Sequence, residues 1–538
     1  MSSIRDERDV KEYSANVAEQ AGGAFVEGGV GLIEKRLSAS RLRLSVRRLL
    51  VFVLMSLVFV LAARPVTDPD FWWHLRTGRL IFETRGIPHA DIFSSTFAGR
   101  EWVAHEWLSE VLMYAVHFAF GYAGLIVFFS LVIAAAMWLA FRRCAARAGH
   151  VYVAGAALLL GALASSPTWG VRPQMFSFLF ASVFLFLLDD YAGGEGNRRV
   201  WWLVPFTALW VNLHAGFAMG LALVALTIAG ILLDSLLSED EGQTLALKFK
   251  AFWRRARTLV FVFAACLLAV SLNPACVRLY LYPFETLTSH AMMKYINEWF
   301  SPDFHEPMFQ PLAVLLFATF GAMALSRVCV RPGRLLMLVA TGYMALRSGR
   351  NVPFFVLVAL PLLAEHAWAW LARQSWRASL SRPNVEAEKS GVLKAAVNVV
   401  LLVAMPLAIC FARVERVAAD QAQDERQNFP VAAVEFMRGR SLPQPVFNEY
   451  GWGGYMIWNL YPDYRVYIDG RADVYGDAYL EEFLKTHDGR AGWRVPLERE
   501  GVRTVVVKPD VPLASLLRQD ASWRNVFEDE QAVIFVRE

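Results

Sequence analysis

The sequence predicts a polytopic α-helical membrane protein of about eleven spans that ends in a small α/β domain. Three observations predict it. Long apolar runs recur from residue 46 to residue 412. Lys and Arg gather in every second connection between those runs. Beyond residue 413, short β-rich runs alternate with helical periodicity. Charged residues make up 19% of the chain and hydrophobic ones 56%, where soluble domains carry roughly 25% charge. The net charge of +4 is small for 538 residues, and the basic residues follow topology rather than forming a patch. That distribution argues against a nucleic-acid partner. Cys144, Cys266, Cys276, Cys329 and Cys410 are scattered and form no CxxC, so neither a disulfide framework nor a zinc site is read.

Residues 1–40 read as a polar, disordered cytoplasmic tail with a short amphipathic helix near 24–36. Spans follow at 46–63, 121–141, 151–167, 174–190, 201–213, 216–234, 258–273, 309–326, 334–346, 353–372 and 394–412. Two of them, 201–213 and 334–346, are short and end in polar motifs. Arg41, Arg43, Arg47 and Arg48 precede the first span, and Arg142, Arg143 and Arg147 follow the second. Arg198 and Arg199, then Lys248 to Arg257, then Arg327, Arg331 and Arg334, then Arg373, Arg377 and Arg382 keep the same parity. Positive residues favour the cytoplasmic side. The N-terminus is therefore placed in the cytoplasm of a cell (inner) membrane and the C-terminal region outside it. The domain division is 1–40, 41–412 with a large first outer loop at 64–120, and 413–538.

The outer side collects the unusual residues. The first outer loop holds "DPDFWWHLRTGR" and "EWVAHEWLSE". Later loops hold Arg172, then Asn212 and His214, then "NEWFSPDFHEP", then Arg347 and Arg350. An ionisable group at membrane depth costs about 2.5–3.5 kcal/mol on insertion scales and marks function. Five loops contributing such groups predict a polar cavity that opens outward.

Each motif has a structural reading beside a chemical one. In Asp68-Pro69-Asp70, Asp suits an N-cap and Pro the first helical turn, which would start a surface helix with Trp72 and Trp73 as interface anchors. His74 lies one turn after Asp70 on the same face, with Arg76 and Arg79 beyond it. A carboxylate and an imidazole so spaced can orient a base or share a hard cation. His105 and Glu106 sit between Trp102 and Trp107, where a second surface helix would turn its aromatic side down and Glu106 and Glu110 up. Arg172, Arg347 and Arg350 suit phosphate, or else reach headgroups. His214, in Asn-Leu-His-Ala-Gly with Asn212, suits a ligand or a satisfied structural histidine.

In the tail, "PVFNEY", "YRVYIDG", "RTVVVKP", "NVFEDE" and "AVIFVRE" predict strands, and 430–439, 476–487 and 511–519 predict helices. "NEYGWGGY", with Tyr450, and "YIDGRADVYG", with Asp469, Arg471 and Asp473, read either as turn chemistry or as ligand contacts. P-loop, GxSxG and HExxH patterns are absent, which removes the usual NTPase, serine hydrolase and zincin readings.

With these motifs in place, the chain resembles the integral-membrane glycosyltransferases of the GT-C fold, in particular a bacterial glycosyltransferase-like group. "DPDFWWHLRTGR", "EWVAHEWLSE", "RPQMFSF", "VNLHAG" and "RSGRN" carry the likeness. "NEYGWGGYMI" is similar to the WWDYG-type segment of oligosaccharyltransferase catalytic subunits, with Asn448-Glu449 where Trp-Asp would stand, so acceptor-peptide recognition does not carry over. The resemblance implies a sugar carried on polyprenyl phosphate or pyrophosphate and transferred with inversion at the outer face, among membrane lipids. Asp70 or Asp68 would be the general base, and the arginines would hold the phosphate. His74 and Glu106 would complete the site as hydrogen-bond partners or, with Asp70, as ligands of a divalent metal such as Mg or Mn. Arg76, His105, His214, Asn212, Tyr450, Asp469 and Arg471 are further candidates for the site. Two competing classes fit the same residues: a lipid-linked glycan transporter or flippase, and a catalytically silent glycolipid-binding scaffold. A transporter should line both leaflets with polar groups or show internal repeats, and neither pattern is present.

Overall fold

The computed structural model describes residues 46–192, 198–238, 244–374, 397 and 400–538. The tail at 1–40, with its amphipathic segment, and the arginines at 41, 43, 377 and 382 lie outside the described residues. The chain divides into two units, 1–53 with 384–406 and 54–383 with 407–538. In the first unit the described residues are the opening turns of the helix Val46–Ala62, residue 397, the π-helical turn Val400–Ala404 and the start of the helix Met405–Asn428. Everything below concerns the second unit.

Helices coincide with the predicted spans between residues 46 and 372. Six are long and apolar enough to cross a membrane among the described residues: Trp107–Ala148, Val151–Thr168, Gln174–Ala192, Phe217–Leu236, Pro307–Ser326 and Gly349–Leu371. The chain is a multi-pass membrane protein. The helices Val46–Ala62, Leu203–Trp210, Leu245–Val270 and Pro332–Arg347 coincide with other predicted spans, but are shorter or carry more charge. Phe261, Phe317 and Leu131 stay exposed on these helices, as lipid-facing side chains do.

Trp107–Ala148 is 42 residues long and breaks at Gly121, where φ is 59° and ψ −154°. A side chain there would be strained, so glycine permits the break. It separates a surface segment from the spanning segment at the residue where hydropathy places the start of the second span.

The predicted parity of the basic clusters is visible as contacts. Arg143 Nε and Arg147 Nη2 lie 2.8 and 2.7 Å from the two carboxylate oxygens of Asp189. Arg147 and Arg334 both reach Glu365, at 3.3 and 3.2 Å. Four helices therefore bring their charged ends to one face.

The tail forms a four-stranded sheet in the order β1-β2-β4-β3, from Val446–Asn448 (β1), Thr504–Val507 (β2), Trp523–Glu528 (β3) and Val533–Arg537 (β4). β1 runs parallel to β2 and the other pairs are antiparallel. Helices Val431–Arg438, Asp477–His487 and Pro512–Gln519 match the sequence expectation. Phe447, Val505, Phe535, Phe483 and Leu517 fill the core. The helix Met405–Asn428 runs through residue 413, so the change of composition there is not a break in the backbone.

"YRVYIDG" is not a strand of this sheet, which corrects the sequence reading. Its polar backbone is satisfied elsewhere. Val466 N donates to Phe93 O at 3.1 Å, and Ser95 N donates to Val466 O at 2.8 Å. The Asn448 carboxamide accepts from Tyr467 N and donates to Ile468 O, each at 2.8 Å. The segment is thus clamped between the first outer loop and a side chain of β1.

Candidate active site

The helix Phe71–Thr84 starts the site, and its first turn departs from the expected cap. Asp70 occupies the N-cap position without a side-chain capping bond. The Asp68 carboxylate accepts from Asp70 N at 3.0 Å and also pairs with Arg172 Nε at 3.0 Å. Asp70 is left free of capping, half-buried, and accepts from Trp73 Nε1 at 3.1 Å.

Two tail motifs pack on this turn. Gly454 lies under it: a Cβ there would stand 2.5 Å from Pro69 O. A Cβ on Gly470 would overlap Oδ1 of Asp70, and one on Gly453 would overlap Ile468 O. The glycines of "NEYGWGGY" and "YIDGRADVYG" permit backbone to pass close to the first outer loop. Trp72 is 1% exposed and packs edge-on to Tyr455 and Phe429, with centroids 5.0 and 5.6 Å apart. It is a core residue that joins loop to tail, not a membrane anchor, because an anchor needs a lipid-facing surface that Trp72 lacks.

Glu106 and Glu110 face inward, against the expected acids-up helix; Glu110 is 1% exposed. His74 stands between them, with Nδ1 3.2 Å from Glu110 and Nε2 3.7 Å from Glu106. His105 Nε2 and His214 Nε2 approach Glu106 at 3.2 and 3.6 Å. Burial opposes charge on Glu106, but His214, His105 and His74 around it hold its carboxyl below the usual carboxylate range. Burial alone would discharge His74, yet its bond to Glu110 and the charge of Glu106 raise its proton affinity.

The tautomer of His214 follows from its neighbours. Gly216 N–H donates to Nδ1 at 2.9 Å. Trp210 Nε1 donates to Ser177 Oγ at 2.8 Å, which turns the hydroxyl hydrogen towards the same Nδ1, 2.7 Å away. The single proton therefore sits on Nε2, facing Glu106. Burial keeps the ring neutral by lowering its pKa to about 3.

Glu298, from the "NEWFSPDFHEP" loop, grips Arg172 through both Nη1 and Nη2. Burial raises the Glu298 carboxyl, but Arg172, then Arg350 and His214, bring it below its ordinary value. Arg172 is thereby shared between Asp68 and Glu298, and the two carboxylates raise its pKa against burial. Arg350 stacks its guanidinium 4.6 Å over the Trp299 ring, and no carboxylate lies within ion-pair distance of it among the described residues. The polar cluster has two parts: Asp68, Arg172 and Glu298 are ion-paired beside Asp70, and His74, His105, His214, Glu106 and Glu110 form the second group. Burial, and the neighbouring Asp68, push the Asp70 carboxyl up to about 7.

Other sequence candidates stand differently. Arg347 is exposed, with Nη2 3.7 Å from Met293 Sδ, and makes no hydrogen bond or ion pair to the cluster among the described residues. Arg76 lies over Tyr461 at 5.1 Å. Asn212 accepts from Trp107 Nε1 at 2.7 Å and from Asn273 Nδ2 at 3.3 Å, tying loops together. Arg471 is buried between Asp469 and Asp91, at 2.6 and 2.8 Å, and lies over Trp102 and Phe93. Tyr450 Oη donates to Gly470 O at 3.4 Å. Asp473, in the same tail motif, is exposed. Glu298 is the member that sequence reasoning did not single out. Its signal was an acid in a loop across from basic candidates.

Among the described residues, no three His, Cys, Asp or Glu side chains form a group able to hold a metal ion. Both nitrogens of His74 face carboxylates, so Asp70, His74 and Glu106 do not fit a metal site.

The fold has solved counterparts. The archaeal oligosaccharyltransferase AglB from Archaeoglobus fulgidus, in complex with an inhibitory peptide and a dolichol-phosphate, is similar over 85% of this chain and 69% of its own, with 10% identity and a TM-score of 0.50. ArnT from Cupriavidus metallidurans bound to undecaprenyl phosphate is similar over 90% of this chain and 97% of its own, with 14% identity and a TM-score of 0.45. No protein-family model and no curated protein sequence matches. At these identities the likeness is one of fold.

Proposed function

We propose that this chain, whose fold is the GT-C fold of the archaeal oligosaccharyltransferase, moves a sugar from a polyprenyl-(pyro)phosphate donor to an acceptor hydroxyl at the outer face of a cell membrane. The observation that carries this reading is Asp70: a half-buried carboxyl pushed up to about 7 by burial and Asp68, with Arg172 nearby. A general base works best with a pKa near the working pH. Asp70 would accept the acceptor's proton as its oxygen attacks the anomeric carbon. The C–O bond to phosphate would break with inversion, and the electron pair would leave on the phosphate oxygen. Arg350, with no carboxylate within ion-pair distance among the described residues, would hold that phosphate. Arg172 has both sides occupied by Asp68 and Glu298, so its role is to position Asp68 rather than to bind phosphate. His74 and Glu106, with Glu110, would fix the orientation of the first turn. No step is routed through a metal ion.

A localisation at the inner membrane with the N-terminus in the cytoplasm rests on the Lys/Arg parity, as does a domain at 413–538 on the outer face. The test is mass spectrometry of lipid-linked and surface glycans from cells lacking the chain, complemented with wild type or with Asp70→Asn. A glycan lost on deletion and restored by wild type but not by the variant supports the reading. Restoration by an equally expressed Asp70→Asn variant would sink it.

A further inference from the structure

At the face that carries the basic clusters, far in sequence from the Asp70 motif, the helix ends enclose a cavity of about 310 Å³. That is the lower end of ligand-pocket volumes, roughly 300–1,000 Å³. Six arginines line it: Arg143, Arg147, Arg254, Arg255, Arg331 and Arg334. Their partners divide them into two sets. Arg143 and Arg147 are held by Asp189, and Arg147 and Arg334 by Glu365. Asp234, the other acid of the lining, is occupied by Gly333 N, which donates to it at 2.8 Å. Arg254, Arg255 and Arg331 are exposed, and none has an ion pair among the described residues. Among the described residues, no carboxylate pairs with them at the rim.

Besides Thr227 and Tyr191, much of the remaining lining is aliphatic. Leu185, Leu188, Ile231, Val358, Pro361 and Leu362 come from the helices Gln174–Ala192, Phe217–Leu236 and Gly349–Leu371. Arginines at the rim over aliphatic spanning helices match a ligand with a charged head and an apolar body. A soluble anion would gain nothing from the aliphatic wall, and an acyl chain would gain nothing from the arginines. Basic pockets between spanning helices on the cytoplasmic side suit anionic phospholipid headgroups. We infer that this cavity binds the phosphate-bearing headgroup of an anionic membrane phospholipid, with Arg254, Arg255 and Arg331 as its charge contacts. It is separate from the outer-face cluster and takes a structural or regulatory lipid rather than the substrate.

The test uses the purified full-length chain in mixed micelles of phosphatidylcholine doped with phosphatidylglycerol. Lipid retention is read by native mass spectrometry and stabilisation by thermal unfolding. Wild type should retain phosphatidylglycerol over phosphatidylcholine. The triple variant Arg254→Ala/Arg255→Ala/Arg331→Ala should lose about a hundredfold in affinity, at about a factor of five for each basic contact. Among the described residues these three side chains hold no ion pair, so the variant should unfold with wild type in pure phosphatidylcholine, which separates loss of binding from loss of folding. Equal retention of phosphatidylglycerol by wild type and variant would overturn the inference. So would stabilisation of wild type by inorganic phosphate or pyrophosphate to the same extent, since the occupant would then be a small anion.

Discussion

Gly470 touches Asp70 so closely that a Cβ at position 470 would overlap the Asp70 carboxylate. The proposed base is therefore seated by backbone from a segment four hundred positions further along the chain. Gly470→Ala must push Asp70 aside or open the contact. A displacement of about 1 Å at a reacting group costs roughly a hundredfold in rate. The expected outcome is a loss of that order in glycan transfer, with wild-type levels of protein in the membrane. Unchanged transfer would show that the seat does not matter.

Asp70 also sets a pH dependence. Transfer should rise with pH and level off above about 7, as the carboxyl becomes available as a base. Its stability effect has the opposite sign. The folded state holds the proton more tightly than the unfolded chain, so stability falls as pH rises from the ordinary carboxylate range to about 7. Asp70→Asn should therefore unfold at a higher temperature than wild type above pH 7, and the advantage should vanish near pH 4. Thermal unfolding in detergent at both pH values checks it.

Arg350 and Arg347 separate contact from neighbourhood. Arg350→Ala should raise KM for the polyprenyl-phosphate donor by tenfold or more, on the scale of about 1.5–3 kcal/mol for a hydrogen bond to a charged group. Arg347→Ala should stay near wild type, because that side chain is exposed and its hydrogen bond among the described residues goes to Met293. Donor titrations of the two variants side by side decide it; equal effects would remove Arg350 from its phosphate role.

Trp72 bears on stability rather than on chemistry. It is 1% exposed and wedged against Tyr455 and Phe429. Trp72→Ala should cost about 3–5 kcal/mol. Limited proteolysis should then release the tail at residues 430–470 before the spanning helices are cut.

The parts legible in sequence are those with a local period. Hydropathy located the six long apolar helices. Helices in the tail followed from their spacing. What stayed hidden depends on partners distant in the chain. "YRVYIDG" alternates like a strand, but its hydrogen bonds go to residues 93–95 and to Asn448. Trp72 follows a span, as an anchor would, and only the arrival of Tyr455 and Phe429 makes it core. Arg172 is suited to phosphate until Asp68 and Glu298 are seen on either side of it. Local pattern reports what a residue can do, and distant pairing decides which of those things it does.

The docking of Gly454 and Gly470 on the Asp68–Asp70 turn has a consequence for biosynthesis. The first outer loop emerges early, when the residues that will seat it have not yet been made. Contacts at such sequence separation form late, after the intervening helices are in place. A nascent chain would thus complete its membrane crossings while Asp70 remained bare to water, with its ordinary acidity. The later arrival of Gly454 and Gly470 would switch the carboxyl to its raised proton affinity, so that a product truncated before them sits in the bilayer without that seat.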